Sequence, residues 1–183
     1  MACVKQSYEQ YVEGTLIKGI TMLQGKGFQY LSFGLIGTSI ELLGYFFDGL
    51  PLEVEQQAKN RFNNAIDNLF VGIRQEYKRS CPCKSGLHDD HWLYRGLRCG
   101  MAHFGRPQGK IVFTTRDEAQ KEKNTHLAKD RLGKLVLVAE DLADDFQAAW
   151  NALKTRSANG AIDKKVTDDF LAIYSYEGVA QSG

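Results

Sequence analysis

The side chains with the clearest chemical potential in this sequence are an arginine and a histidine in one short segment, residues 93–107. Arg98 and His103 stand there in the pattern Arg-x-x-x-x-His. A guanidinium group offers phosphate a planar set of N–H donors, and an imidazole group exchanges a proton near neutral pH. The pair therefore supplies one group that can stabilise charge on a phosphodiester and one that can act as general acid or base.

The neighbouring sequence adds positive charge to this segment. Between Trp92 and Arg116 there are five Lys or Arg residues and no Asp or Glu, whereas the whole chain of 183 residues has a net charge of only +1. That net charge does not indicate a nucleic-acid-binding protein, so such a role has to be local. The local excess favours an anionic partner, and Tyr94, Arg95 and Arg106 are the residues predicted to position it.

The segment is predicted to be a helix with one buried face. The apolar or small residues of that face recur at steps of three and four and are Leu93, Leu97, Gly100 and Phe104. Arg98 lies off this face. The helix is expected to end at His103, because Gly105 and Pro107 follow shortly after it.

With this arginine and histidine, the chain resembles the HEPN superfamily, whose signature is an arginine followed a few residues later by a histidine on one helix of a small helical bundle. In active members the pair forms a metal-independent endoribonuclease site, usually assembled across a homodimer, and other members are inactive binding or scaffolding modules. The resemblance implies that Arg98 and His103 are catalytic residues of an endoribonuclease that needs no cofactor.

Two other interpretations of the segment stay open. The family often has Asn or Asp directly after the arginine, where this chain has Cys99. That difference favours a non-catalytic module that binds a nucleotide, RNA or a protein partner through the same basic surface. From the residues alone, Arg98 can equally form an internal salt bridge while His103 caps its own helix.

The spacing of the pair bears on the oligomeric state. Five residues on an ideal α-helix turn Arg98 and His103 about 140° apart. Both side chains reach one phosphate only if the helix frays at His103 or if a second subunit completes the site. A catalytic protein of this kind is therefore predicted to be a symmetric homodimer.

The most apolar stretch, residues 28–47, is long enough to span a membrane. Glu41 near its middle makes a span unfavourable, so we predict a buried helix and no membrane association. One stripe of this helix carries small and polar residues, namely Gly34, Gly37, Thr38, Glu41, Gly44 and Tyr45. Small residues let a neighbouring backbone approach closely, and a carboxylate in such a groove needs a cation. Arg98 is the predicted partner of Glu41, and the alternative is that Glu41 faces water or pairs elsewhere.

Other patterns with helical spacing predict helices in about the first twenty residues, over residues 52–78 and over residues 134–156, with a short helix at 167–173. Arg61 is expected to lie in solvent, opposite the apolar face of its helix. The last long helix carries four acids, Glu140, Asp141, Asp144 and Asp145. A solvated face is the favoured interpretation of these acids, and a divalent-cation site is the alternative.

Two runs of β-branched and aromatic residues, 110–116 and 125–130, predict strands that pair as a hairpin across a charged tip. The chain has the length of one domain with its own core. The sequence thus predicts a mainly α fold and a single HEPN-like domain over residues 1–183. It would be a bundle of about four to five helices, with a small β-hairpin inserted at about residues 110–130 before the last long helix.

A loop rich in helix breakers contains ligand types that zinc prefers, at Cys81, Cys83, His88 and His91. Two thiolates and two imidazoles can hold zinc tetrahedrally. The favoured interpretation is instead a polar connector in which Asp89 or Asp90 caps the next helix, so no metal or other cofactor is expected. The four cysteines of the chain are too few and too uneven for a disulfide framework, and the absence of a signal-peptide pattern leads us to expect a cytoplasmic protein.

Overall fold

The computed structural model describes residues 2–78 and 92–175, with side chains over residues 6–78 and 92–168. Six helices, each counted with its contiguous π segments, are α1 (Tyr8–Tyr11, Val12–Ile17 and Lys18–Gly25), α2 (Gln29–Gly44), α3 (Ala58–Ala65, Ile66–Phe70 and Val71–Ile73), α4 (Tyr94–Cys99 and Gly100–Phe104), α5 (Arg116–Lys121) and α6 (Ala139–Ala158). The described strands are β1 (Ala2–Ser7), β2 (Ile111–Thr114), β3 (Leu135–Val138) and β4 (Asp169–Ser175). The prediction of a mainly α fold is confirmed.

Helix α2 lies at the centre of the fold and packs against α1, α3, α4 and α6. Its glycines allow this close packing. A Cβ atom on Gly44 would lie 1.6 Å from the carbonyl oxygen of Arg61 in α3, and one on Gly37 would lie 3.4 Å from the Cα atom of Arg98 in α4. The predicted stripe of small residues is therefore the surface on which two neighbouring helices rest.

The apolar length of α2 matches a membrane-spanning helix by length and composition alone. The stretch Gln29–Phe47, which adds the 3₁₀ turn Tyr45–Phe47 to α2, has 19 residues, and half of its 18-residue apolar window is buried inside the fold. The core helix of a soluble protein has the same properties. The largest fully buried side chains of the described residues include Phe33 of α2 and, from other elements, Phe62, Phe70, Tyr77, Phe146 and Trp150.

The predicted hairpin is wrong. Strand β2 pairs in parallel with β3, from Ile111 beside Leu135 to Thr114 beside Val138, and the expected charged tip forms α5 instead. Thr115 begins that helix, because its side chain accepts a hydrogen bond from the N–H of Glu118. A parallel pair requires a long crossover that usually contains a helix, and the segment between β2 and β3 provides it.

Strand β3 was predicted to be the start of the last helix, and this prediction is also wrong. All four residues of β3 are buried, and a short run that is apolar on both faces has no periodicity to distinguish strand from helix. Helix α6 accordingly begins at Ala139. Likewise, the helix predicted at 167–173 is β4, which pairs antiparallel with β1, a partner that no local pattern reveals.

Arg61 is buried, which contradicts the prediction that it faces solvent. Its Nε atom donates to Asp48, while Nη2 and Nη1 donate to the carbonyls of Pro51 (2.7 Å) and Leu52 (2.9 Å). The helix was predicted to begin at about Leu52, but α3 begins only at Ala58. The free carbonyls of a turn need donors, and the arginine supplies them.

Candidate active site

Helix α4 places the arginine and the histidine on adjacent turns of different type. The turn Tyr94–Cys99 is π-helical and Gly100–Phe104 is α-helical. Gly105 ends the helix with a left-handed φ of 62°, and its N–H donates to the carbonyl of Met101 (3.2 Å). His103 therefore lies in the last turn, as predicted.

Arg98 forms an ion pair with Glu41 of α2, and this contact confirms the predicted partner. Oε2 of Glu41 accepts a hydrogen bond from Nε at 3.0 Å and lies 2.8 Å from Nη2. The two side chains keep 19% and 24% of their surface exposed. Burial alone would lower the pKa of the guanidinium, but the charge and hydrogen bond of Glu41 raise it above its ordinary value. Arg98 thus stays charged, oriented and within reach of solvent.

Tyr94 supports this arginine from the side. The guanidinium carbon lies 5.8 Å from the centre of the Tyr94 ring, and the ring packs edge to face against Phe62 at 5.6 Å. Burial and a hydrogen bond with the thiol of Cys99 raise the pKa of the Tyr94 hydroxyl. Cys99, the residue after the arginine, therefore lies close to the Tyr94 hydroxyl.

His103 and its neighbours face solvent. His103, Arg95, Arg106 and Lys110 are exposed, and the ring of His103 lies 6.5 Å from that of Phe104. Within the described residues, no hydrogen bond or ring contact joins Arg98 to His103. A π turn uses more residues than an α turn, so the rotation from Arg98 to His103 is smaller here than on an ideal α-helix.

Phe104 differs from the predicted buried face. Leu93 and Leu97 are fully buried and Gly100 is buried, but Phe104 is 64% exposed. Phe104 is the last residue of α4, directly before the left-handed Gly105 that ends the helix. The sequence spacing identified the buried positions as far as Gly100 and placed only Phe104 on the wrong face.

Tests of a metal site give two different outcomes. The set Cys81, Cys83, His88 and His91, with the proposed caps Asp89 and Asp90, lies outside the described residues. Among the residues that are described, no cluster of three or more His, Cys, Asp or Glu side chains has the arrangement of a metal site. The four acids of α6 instead accept hydrogen bonds from side chains and a backbone N–H of the protein itself.

Three of these acids are engaged by one arginine. Arg116 donates to Asp141 through Nε at 2.9 Å and to Asp144 through Nη2 at 2.8 Å, and its backbone N–H donates to Glu140 at 2.8 Å. Arg116 belongs to α5, so the contacts fasten the crossover helix to α6. Asp144 is solvated, as predicted, with 71% of its side chain exposed, whereas Glu140 and Asp141 are half-buried. Arg116 is engaged by these acids rather than by the basic surface of α4.

Asp145 forms a buried polar network that sequence reasoning missed. It accepts hydrogen bonds from Arg74 (2.8 Å) and Tyr77 (2.9 Å), and Nε2 of His126 lies 3.5 Å from the same carboxylate oxygen. The N–H of Val138 donates to Nδ1 of His126 at 3.0 Å, which places the imidazole proton on Nε2, facing Asp145. Arg74 and Tyr77 follow α3, His126 lies in the turn before β3 and Asp145 lies in α6, so no local sequence signal could have found the network.

Comparisons with protein-family models, with curated proteins and with solved structures found no match to this chain.

Proposed function

We propose that this chain is a HEPN-like, metal-independent endoribonuclease whose active site lies on the exposed side of α4. The observation that supports the proposal is the geometry of Arg98. Glu41 holds its guanidinium near the surface through a hydrogen bond from Nε and an ion-pair contact with Nη2, on the short helix that ends beside the exposed His103. An arginine oriented before the substrate arrives loses little freedom on binding a phosphate, and such preorganisation favours catalysis.

In the proposed reaction a ribose 2′-hydroxyl attacks the adjacent phosphorus. As general base His103 takes the proton of that hydroxyl while water protonates the departing 5′-oxygen, or as general acid it protonates that oxygen while water accepts the hydroxyl proton. Arg98 stabilises the charge that develops on the phosphoryl oxygens. A bond from the 2′-oxygen to phosphorus forms and the bond from phosphorus to the 5′-oxygen breaks. The products are a 2′,3′-cyclic phosphate and a 5′-hydroxyl, and no step requires a metal ion.

The remaining residues of the proposed site act through position and charge. Glu41 orients Arg98, while Tyr94, Arg95 and Arg106 hold the RNA backbone near the pair. Each α4 contributes one arginine and one histidine, so we propose that a symmetric homodimer brings two such helices together and completes the active site.

Cleavage of a mixed-sequence RNA in excess chelator tests this function. The wild-type protein is expected to yield 2′,3′-cyclic phosphate ends, and a folded His103→Ala variant is expected to yield none. Glu41→Gln should slow cleavage, whereas Glu55→Gln, at an exposed residue outside the site, should not. Equal cleavage by the wild type and His103→Ala would remove His103 from the proposed mechanism.

A non-catalytic module is the second candidate function, and the environment of the arginine favours it. Cys99 occupies the position after Arg98 and bonds to Tyr94, and Glu41 neutralises the arginine in the absence of any ligand. In this case the same basic surface binds a nucleotide, RNA or a protein without cleaving it. RNA binding that depends on Arg98, with no cleavage by the wild type, would select this function.

A further inference from the structure

The last turn of α4 presents an aromatic ring to solvent beside the proposed catalytic histidine. Phe104 is 64% exposed. Within the part of the chain that the structure describes, its ring contact is with His103, at 6.5 Å between centroids and 75° between planes. A large aromatic ring that packs against so little of its own protein is available to a flat ligand.

Two cations follow this ring closely in the sequence. Arg106 and Lys110 are exposed, and neither forms an ion pair within the described residues. Arg98 lies in the preceding turns of the same helix. Positive side chains alternating with an exposed aromatic ring are the composition of surfaces that bind single-stranded nucleic acid, because cations follow the phosphates while bases stack on the ring.

The chemistry of an exposed phenyl ring indicates which part of a nucleic acid it can bind. Bases inside an RNA duplex are already stacked on one another, and proteins recognise such duplexes through backbone and groove contacts. An exposed phenyl ring has no donor or acceptor for a phosphate, but either of its faces can receive an unpaired base. Phe104 therefore selects for nucleotides that are free to unstack.

We propose that Phe104 is a stacking platform for the unpaired base next to the phosphate held by Arg98 and His103. This inference rests on the endoribonuclease function proposed above and adds a residue that positions its substrate. It also gives a role to a side chain that the sequence pattern assigned to the core.

The experiment measures binding of a fluorescent 2′-O-methyl RNA of about 12 nucleotides, which contains no attacking 2′-hydroxyl, to the full chain in chelator. The same oligonucleotide is offered as a single strand, as a perfect duplex and as a single strand with central abasic sites. The variants are Phe104→Ala, Phe104→Leu and Phe104→Trp. Leu132→Ala is the matched control, because Leu132 is an equally exposed apolar residue (71%) outside α4.

Phe104→Ala is expected to weaken binding of the intact single strand roughly 5- to 100-fold, the range for the loss of one base–aromatic contact. Phe104→Leu should behave like Phe104→Ala, because leucine keeps apolar bulk without a π face, and Phe104→Trp should bind like the wild type. The duplex and the abasic strand should bind equally to the wild type and Phe104→Ala. Leu132→Ala should change nothing.

Several results would overturn the proposal. They are equal binding of the intact strand by the wild type and Phe104→Ala, an equal loss for intact and abasic strands, or wild-type affinity in Phe104→Leu. If Phe104→Ala instead shifts the sedimentation coefficient of the protein without RNA, the ring belongs to an interface between copies and the proposal is also wrong.

Cleavage of ordinary RNA by the same variants separates this inference from the proposed function. Loss of cleavage in His103→Ala with full activity in Phe104→Ala leaves the endoribonuclease in place and rejects the stacking role. Binding that depends on Phe104, with no cleavage by the wild type, retains the single-stranded ligand and rejects the enzyme.

Discussion

Two acidic residues of this protein occupy contrasting environments. Glu41 pairs with Arg98 where both side chains still reach solvent, so an incoming anion can compete for the arginine. Asp145 is 3% exposed and accepts hydrogen bonds from Arg74 and Tyr77 in the interior. The first pair suits a binding surface, and the second group joins α6 to the end of α3 and the turn after it.

The buried acid makes stability depend on pH. Burial alone would raise the pKa of the Asp145 carboxyl, but hydrogen bonds from His126, Arg74 and Tyr77 outweigh burial and lower it below its ordinary value of 3.8. The folded protein therefore holds this proton less tightly than the unfolded chain does. The resulting stabilisation is complete above the unfolded-state pKa, near pH 4, and is lost as the pH falls through the lower folded-state pKa.

We expect Asp145→Asn to lower the free energy of unfolding at pH 7 by about 3 kcal/mol, because it removes the charge from a buried, paired group. The difference between the wild type and the variant should shrink as the pH falls below about 4. Urea denaturation between pH 2 and pH 7 measures both effects. Asp67→Asn is the control, because Asp67 is exposed and has no ion pair within the described residues. A difference that stays constant down to pH 2 would contradict this account.

The contact of a single residue could be predicted from the sequence only where a buried charge needed a partner and few residues could supply one. Glu41 is the single charge in the apolar stretch that became α2, so its need for a cation was visible in the sequence, and Arg98 supplied one. Arg61 gave no such signal. Its burial depends on turn carbonyls at Pro51 and Leu52, and these turns could not be distinguished from the start of a helix.

The contact between helices α2 and α3 depends on a glycine, which has no side chain, at position 44. Gly44 lies directly against the backbone of Arg61, where a Cβ atom would come within 1.6 Å of a carbonyl oxygen. A backbone atom in a packed helix cannot yield as the end of a flexible side chain can. The approach of the two helices therefore sets how far α3 lies from the centre of the fold.

Gly44→Ala is expected to lower the free energy of unfolding by about 3 kcal/mol, because the two helices have to separate. Gly72→Ala in α3 is the matched control. A Cβ atom there would meet nothing within 4 Å, so alanine should raise stability by about 0.5–1 kcal/mol through its better helix propensity. Thermal and urea denaturation of the three proteins check both values, and equal stability of Gly44→Ala and the wild type would show that the contact is not tight.

Long helices could be predicted from the sequence, and short apolar strands could not. The helical patterns that became α1, α3, α4 and α6 follow from spacing that is repeated over several turns, and α2 follows from the length of its apolar stretch. Strand β3 has only four residues, all buried, and β4 pairs with a strand at the opposite end of the sequence. Such elements are fixed by their tertiary partners, and a local pattern contains no information about a distant partner.

If the whole protein is a homodimer with a shared active site, two inactive variants should restore activity when they are mixed. Arg98→Ala and His103→Ala should each be inactive alone. If one site uses Arg98 of one subunit and His103 of the other, a mixed dimer contains one intact site. After subunit exchange, about half of the dimers are mixed, so about a quarter of the wild-type activity should return.

Sedimentation analysis and the cleavage assay on the exchanged mixture measure this outcome. A mixture of His103→Ala with a double Arg98→Ala, His103→Ala variant is the control and should remain inactive. A monomeric wild-type protein that cleaves RNA at full rate would contradict a shared site, and it would require one α4 to supply both catalytic groups.

The pairing of β1 with β4 also has a consequence for the order in which the chain can fold. The ribosome releases Ala2–Ser7 more than 160 residues before Asp169–Ser175, which at cellular elongation speeds is a delay on the order of ten seconds. During this interval the edge of β1 has no partner from its own chain, and an unpaired edge attracts other strands. Nascent chains are therefore most exposed to mispairing before the last strand is made, and a factor that shields the first residues during translation would raise the yield of folded protein.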